Sequence, residues 1–121
     1  MNDRDTQVKV KICGMTNLKD VKVAVDGGVD AVGFIFYKKS PRSVTMQAVR
    51  KIVLELPPFV DSVGVFVNET AEQINKIADR CNLDRVQLHG NESPMFCKKI
   101  RRRVIKAIRV KDIQSLKKLS D

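Results

Sequence analysis

The sequence has little of what builds a metal centre, a disulfide framework or a membrane span. It contains one histidine and three cysteines. Cys13, Cys81 and Cys97 stand far apart without a C-x-x-C pair, so neither a zinc site nor a disulfide framework is supported. No apolar run approaches the roughly 18 residues of a membrane span, and the polar start lacks the hydrophobic segment of a signal peptide. We therefore expect a cytoplasmic protein with reduced thiols, no bound metal and no membrane partner.

Aromatic residues are also scarce, which argues against a nucleic-acid-binding surface. There is no tryptophan, and the chain has one tyrosine and five phenylalanines. Most of the phenylalanines lie in apolar runs, which leaves few platforms on which bases can stack. The net charge of +9 keeps a basic nucleic-acid-binding α/β domain open as an alternative. Its densest run, KKIRRR at 98–103, falls where a helix is expected to end, and cations are favourable there. We expect no nucleic-acid partner.

One unit repeats along the chain: a short apolar strand, a few turn residues and an amphipathic helix. The 121 residues, 43% of them hydrophobic, are enough for one domain with one core, so residues 1–121 are predicted to form a single domain. Strands rich in β-branched residues are typical of buried parallel strands. The predicted strands are Val8–Ile12, Ala31–Phe36, Val63–Val67, Arg85–Leu88 and Val104–Ile108. The helices are predicted to begin at the caps Asn17, Thr45, Thr70, Ser93 and Asp112.

Strands that alternate with helices predict a parallel sheet, which is either an open doubly wound sheet or a closed barrel. The sequence pattern by itself barely separates these two architectures. The chain stops inside or just after a helix, without a closing strand. At the spacing seen here, eight units would need roughly 200 residues, near the lower end for a barrel. The chain therefore looks like the first part of a longer fold.

Polar side chains gather at the ends of three predicted strands. Because successive side chains of a strand point to opposite faces, Lys11 and Cys13 share one face, as do Gln87 and His89. Asn68 follows the third strand in the same way. If these faces converge, the residues line a wet pocket at the carboxyl ends of the strands, where reactive groups of α/β proteins sit. The simpler alternative is that strand ends merely emerge into solvent.

Five sequence runs stand out along the chain: KICGMT at 11–16, AVGFIF at 31–36, SPR at 40–42, VGVFVN at 63–68 and VQLHG at 86–90. In this order and at this spacing they resemble the phosphoribosylanthranilate isomerase family over nearly the whole chain. The resemblance implies an α/β fold of the TIM (β/α)8 barrel type, incomplete in this chain and represented by its first five β/α units with parallel strands. It also implies a role in tryptophan biosynthesis, a small phosphorylated substrate and no cofactor.

The activity that this resemblance implies is an Amadori rearrangement of N-(5-phosphoribosyl)anthranilate to 1-(2-carboxyphenylamino)-1-deoxyribulose 5-phosphate. Such a reaction needs an acid that opens the ribose ring and a base that removes the proton from C2′. Cys13 matches the family's general base, and Lys11 on the same face is expected to tune the acidity of its thiol. Arg42 matches the arginine that holds the anthranilate carboxylate, and His89 matches a substrate-binding position. Gln87 and Asn68 are substrate-binding candidates from strand parity alone.

The resemblance also implies parts of the site that this chain does not contain. The family's general acid is an aspartate at the end of a sixth strand, and its phosphate is held by glycine-rich loops after strands seven and eight. We therefore expect the chain to be inactive alone and to self-associate through open barrel edges. The alternative function is a non-catalytic half-barrel that assembles with a second copy or fragment.

Overall fold

A computed structural model describes residues 7–110 and 113, in which five strands alternate with four helices. The five predicted strands and the first four predicted helices are present, while the helix predicted to begin at Asp112 lies outside the described residues. The elements are β1 (Lys11–Ile12), α1 (Leu18–Asp26), β2 (Ala31–Ile35), α2 (Met46–Val53), β3 (Asp61–Phe66), α3 (Ala71–Cys81), β4 (Arg85–Leu88), α4 (Pro94–Cys97) and β5 (Arg103–Lys106).

The first strand is shorter than its sequence predicts. Val8 is 82% exposed, and the sheet begins only at Lys11. The Asp30 side chain explains part of this difference, because its Oδ2 accepts the Val10 N–H at 2.8 Å while the Asp30 N–H donates to the Val10 carbonyl at 2.8 Å. Before β1, the Val10 N–H is therefore bonded to the Asp30 side chain and not to a backbone carbonyl of a neighbouring strand.

The sheet is parallel and its strand order is β1-β2-β3-β4-β5. A doubly wound sheet reverses direction at a switch point, whereas a barrel adds each strand beside the one before it. The unbroken order therefore decides between the two architectures that the sequence leaves open. It is the order of the first five strands of a (β/α)8 barrel.

The helices cover one face of the sheet and form the hydrophobic core with it. Val32, Phe34 and Phe66 on this face are fully buried, as are Val86 and Leu88. The helices begin where their caps predict: Asn17, Thr45, Thr70 and Ser93 each accept a backbone N–H three residues on, at 2.8, 3.2, 3.2 and 3.1 Å. Within the described part of the chain, no helix combines the length and apolar character of a membrane span.

The opposite face is concave. Neighbouring strands lie about 4.8 Å apart, so β1 and β4 are separated by about 14 Å along a flat sheet. Side chains that stand perpendicular to a flat sheet would not meet across that distance. Lys11 Nζ on β1 nevertheless donates to Gln87 Oε1 on β4 at 2.5 Å. The sheet therefore curls around its inner face, where Val63 and Val65 are also buried.

Candidate active site

Cys13 follows β1 and lies against Gly33 of the neighbouring strand. A Cβ atom at Gly33 would lie 3.2 Å from both the Cα and the Sγ of Cys13, a tight contact that glycine avoids. The Gly33 carbonyl also accepts the N–H groups of Gly14 and Met15, both at 3.0 Å. The backbone after Cys13 is thus fixed to β2, while the thiol itself is partly exposed. Gly33 is a supporting residue that the sequence reasoning did not single out.

Arg42 lies against Gly14, the residue after Cys13, although the loop that carries it follows the next strand, β2. A Cβ atom at Gly14 would overlap the guanidinium of Arg42, whose Cδ is 3.0 Å from that point. Gly14 also has a φ of +84°, a conformation that favours glycine. The loop that carries Arg42 returns to β2 through the Val44 N–H, which donates to the Ile35 carbonyl at 3.1 Å. The guanidinium therefore rests on the backbone of the residue after the thiol.

Lys11 and Gln87 meet on the concave face. The Gln87 residue is 9% exposed, and its Oε1 atom accepts the hydrogen bond from the Lys11 ammonium. The partner of the ammonium is therefore an amide on β4. Gln87 thus fixes the Lys11 ammonium on the concave face of the sheet. The influence of Lys11 on the acidity of the Cys13 thiol stays a prediction.

His89 and Asn68 follow β4 and β3 at the carboxyl edge of the sheet. The His89 residue is exposed, and its backbone N–H donates to the Phe66 carbonyl at 3.0 Å. Asn68 has a left-handed φ of +50°, and its Oδ1 accepts the Asn91 N–H at 2.7 Å. Asn68, a predicted substrate-binding residue, thus joins the loops after β3 and β4 through its side-chain oxygen.

A carboxylate that the sequence reasoning missed lies between these loops. The Glu92 side chain is 3% exposed, and Lys106 Nζ donates to its Oε1 at 2.8 Å. Burial raises the pKa of Glu92, but the hydrogen bonds from Lys106 and from the backbone of Asn68 and Gly90 outweigh it and lower that pKa. The carboxylate is therefore ionised at neutral pH. Its position three residues after His89 carries no spacing signal that would single it out.

The candidate site has no cluster suited to a metal within the described residues. Among residues 7–110 and 113, no group of three or more His, Cys, Asp or Glu side chains is placed to hold an ion. What the fold does bring together is a thiol, a guanidinium, an ammonium–amide pair and an imidazole around the carboxyl end of a curved parallel sheet. The fold and the site define the class: a protein of the (β/α)8 barrel type with a candidate active site at the carboxyl ends of its strands.

The chain belongs to the N-(5′-phosphoribosyl)anthranilate (PRA) isomerase family, whose sequence profile matches residues 10–121. It is 55% identical over 113 residues to the N-(5′-phosphoribosyl)anthranilate isomerase of Pelobacter propionicus, which covers 93% of this chain and 54% of the relative. It is 56% identical over 109 residues to that of Geobacter sulfurreducens, covering 90% and 54%. The chain thus spans about half the length of these curated relatives.

Solved structures give the same result for the fold. The phosphoribosyl anthranilate isomerase of Thermotoga maritima superposes with a TM-score of 0.90 at 50% identity and covers 92% of this chain and 55% of its own. A phosphoribosyl anthranilate isomerase in complex with reduced 1-(o-carboxyphenylamino)-1-deoxyribulose 5-phosphate gives 0.89 at 50% identity, covering 92% and 58%. The predicted family and the incomplete barrel are confirmed. These findings do not bear out the expectation that the chain is inactive alone.

Proposed function

We propose that the protein is a phosphoribosylanthranilate isomerase that catalyses the Amadori rearrangement of N-(5-phosphoribosyl)anthranilate in tryptophan biosynthesis, in the cytoplasm. The observation that carries this proposal is the placement of the Arg42 guanidinium against Gly14, the residue that follows Cys13 at the carboxyl end of β1. The 55% identity to a curated isomerase supports the same activity. The proposed partner is a small phosphorylated substrate, without nucleic acid, membrane or cofactor, and residues 1–121 are proposed to act as one domain.

Cys13 is the proposed general base. After the ribose ring has opened to an iminium, the Cys13 thiolate takes the proton from C2′. The electron pair of that C–H bond forms the C1′=C2′ double bond and neutralises the iminium nitrogen. The resulting enaminol tautomerises to the aminoketose. The family resemblance assigns protonation of the ring oxygen to an aspartate at the end of a sixth strand.

Arg42 is the proposed anchor for the anthranilate carboxylate. A guanidinium binds a carboxylate through two parallel hydrogen bonds, which fixes its distance and its plane. Arg42 is exposed, and among the described residues its guanidinium donates no hydrogen bond to a protein acceptor. Because the guanidinium lies against Gly14, it would hold the carboxylate of a bound substrate near the Cys13 thiol. C2′ would then lie within reach of the base.

The remaining candidates have supporting roles in this proposal. Gln87 orients the Lys11 ammonium on the concave face below Cys13, from where the positive charge favours the thiolate. His89 is exposed at the rim of the site and is proposed to bind substrate. Asn68 is proposed to bind substrate through its amide nitrogen, since its Oδ1 accepts from Asn91.

The decisive experiment is turnover of N-(5-phosphoribosyl)anthranilate by a purified protein that also carries the sixth to eighth strands of the barrel, and by its variants. Cys13→Ser and Arg42→Met are expected to lose turnover while circular dichroism stays unchanged. Cys97→Ser is the matched control, because this partly exposed thiol lies on α4 away from the site. Absence of turnover in this folded wild-type protein, or full turnover in Cys13→Ser, would contradict the proposal.

One observation favours the alternative of a half-barrel that assembles with a second copy or fragment. Apolar side chains are exposed on both edges of the described sheet: Ile12 on β1 is 37% exposed, Ile105 on β5 is 38% exposed, and Val10 before β1 is 46% exposed. Exposed parallel edges favour pairing with another chain. Sedimentation velocity tests this proposal, which expects a species larger than a monomer. A Thermotoga maritima neighbour was solved as monomers generated from a dimeric phosphoribosylanthranilate isomerase.

A further inference from the structure

The Glu92 carboxylate is the meeting point of three elements at the carboxyl end of the sheet. Its Oε2 accepts the N–H of Asn68, after β3, at 2.8 Å. Its Oε1 accepts the N–H of Gly90, after β4, at 2.9 Å and the ammonium of Lys106, at the end of β5, at 2.8 Å. A single nearly buried side chain thus fixes the ends of three neighbouring strands. We call this group of four residues the Glu92 clamp.

Gly90 is held from both sides by this clamp. Its N–H donates to Glu92, and its carbonyl accepts from Lys106 Nζ at 2.6 Å. A Cβ atom at Gly90 would lie 2.9 Å from the Asn68 backbone nitrogen, so the two loops approach each other more closely than any other residue permits. The loop after β4 therefore has one defined path over the end of β3.

His89 is the residue whose position this path decides. The peptide before His89 donates its N–H to the Phe66 carbonyl at 3.0 Å, and the peptide after it donates its N–H to Glu92. Both peptide planes that flank the exposed imidazole are therefore hydrogen bonded, one to the sheet and one to the clamp. Without the clamp, only the peptide before His89 would still be hydrogen bonded, and the imidazole would be less well fixed.

We propose that Glu92 is a positioning residue that sets the place of the His89 imidazole at the rim of the active site. The carboxylate suits this task because it accepts several hydrogen bonds at once, whereas an amide in its place has one acceptor oxygen. Lys106 balances the buried charge, which would otherwise be costly. The value of this placement for substrate rests on the proposed function, but the placement itself does not.

The test uses the fact that His89 is the only histidine of the chain. NMR of the whole chain reports its ring protons without overlap from another imidazole. In Glu92→Gln we expect the His89 ring signals to move toward random-coil values, and the Gly90 amide proton to exchange about tenfold faster. The Gly33 amide in β2 is expected to exchange at its wild-type rate.

Two matched controls separate positioning from a general loss of stability. Glu55→Gln removes an exposed carboxylate outside the clamp, and Thr45→Ala removes the cap of α2. Thr45→Ala lowers stability by about 1 kcal/mol without touching the clamp. Neither is expected to change the His89 ring signals. If Thr45→Ala moves these signals as far as Glu92→Gln does, the ring follows global stability and the proposal is wrong.

If Glu92→Gln does not fold, Lys106→Gln gives the same measurement, since it loosens the clamp while the Glu92 carboxylate and its two backbone partners remain. Unchanged ring signals and unchanged Gly90 exchange in the folded variant would overturn the proposal. Neither readout requires substrate. Full turnover in Cys13→Ser therefore refutes the proposed function and leaves this inference standing. Unchanged NMR signals in Glu92→Gln refute this inference and leave the proposed function standing.

Discussion

The β1–β2 part and the β3–β5 part of the candidate site use their polar groups in opposite ways. On the β1–β2 side, Cys13 and Arg42 rest on glycine backbone, and their reactive atoms are left for a ligand. On the β3–β5 side, Asn68, Glu92 and Lys106 are hydrogen bonded to one another's loops. The β1–β2 side carries the proposed reacting groups, and the β3–β5 side holds the strand ends together.

The difference follows from how each side is held. Glycine creates space for a neighbouring side chain without using any of its hydrogen-bonding groups, so a thiol and a guanidinium remain available. A buried carboxylate does the reverse, because it must be satisfied by several donors to offset its desolvation. Substitutions on the two sides are therefore expected to affect different properties of the protein.

The largest expected effect is that of Cys13→Ser on turnover. Loss of a general base lowers the rate by about 10²–10⁴-fold. Because the thiol is partly exposed, the free energy of unfolding is expected to change by less than about 0.5 kcal/mol. Steady-state kinetics and urea unfolding measure the two quantities. If Cys13→Ser lost much stability but kept its turnover, the β1–β2 side would support the fold as the β3–β5 side does, and the contrast between them would be wrong.

Lys106→Met is expected to show the opposite profile. It leaves the Glu92 carboxylate nearly buried without its cation, and we expect a loss of roughly 2 kcal/mol in the free energy of unfolding. Urea unfolding measures this loss, and Lys22→Met on the exposed surface of α1 is the control. Equal stability of the two variants would mean that the clamp does not support the fold.

Gly14→Ala tests the glycine contact on the reactive side. Its φ of +84° makes alanine cost about 1–2 kcal/mol, and the added Cβ displaces the Arg42 guanidinium. Gly28→Ala is a matched control, since Gly28 has a φ of +90° but open space where its Cβ would lie. Both variants are expected to lose similar stability. Only Gly14→Ala is expected to raise KM, and an equal KM in both would place Arg42 outside the substrate site.

The smallest expected effect is that of acidic pH on the free energy of unfolding. The pKa of Glu92 is lowered in the folded chain, so its contribution to stability is present above the usual carboxyl range and is lost as the pH falls through the folded value. The charged group that faces it is Lys106 of β5, whose Nζ donates to Glu92 Oε1 at 2.8 Å. Stability of the wild type relative to Glu92→Gln is therefore expected to hold from pH 7 to about pH 5 and to fall in more acidic solution.

A second acid-sensitive group does not disturb this comparison. The hydrogen bond from Arg101 lowers the pKa of Asp79, with a further contribution from Arg102. This group of three residues lies outside the Glu92 clamp and is unchanged in Glu92→Gln. The difference between the two proteins therefore isolates the clamp. A difference that does not vary with pH would show that the carboxylate acts through its shape and not through its charge.

Much of the local structure was predictable because it depends on neighbouring residues. Asn17, Thr45, Thr70 and Ser93 cap the helices as expected, since a cap bonds a backbone N–H only three residues away. Strand parity put Lys11 on the face of Cys13 and Gln87 on the face of His89. Only the hydrogen bond between Lys11 and Gln87 shows that these two faces converge. The predicted start of β1 was wrong because the Val10 N–H is bonded to the side chain of Asp30, a residue 20 positions away.

The sequence by itself determined the β/α alternation, the helix starts, the family and the residue types of the candidate site. Tertiary structure alone decided that the strands add in order into a curved sheet, that Gly14 and Gly33 make room for Arg42 and Cys13, and that Glu92 joins three strand ends. The physical reason is the separation in sequence of the residues that interact. Periodicity and capping act within a few residues, whereas the backbone approach at Gly90 and the hydrogen bonds of a buried carboxylate depend on where distant loops come to lie.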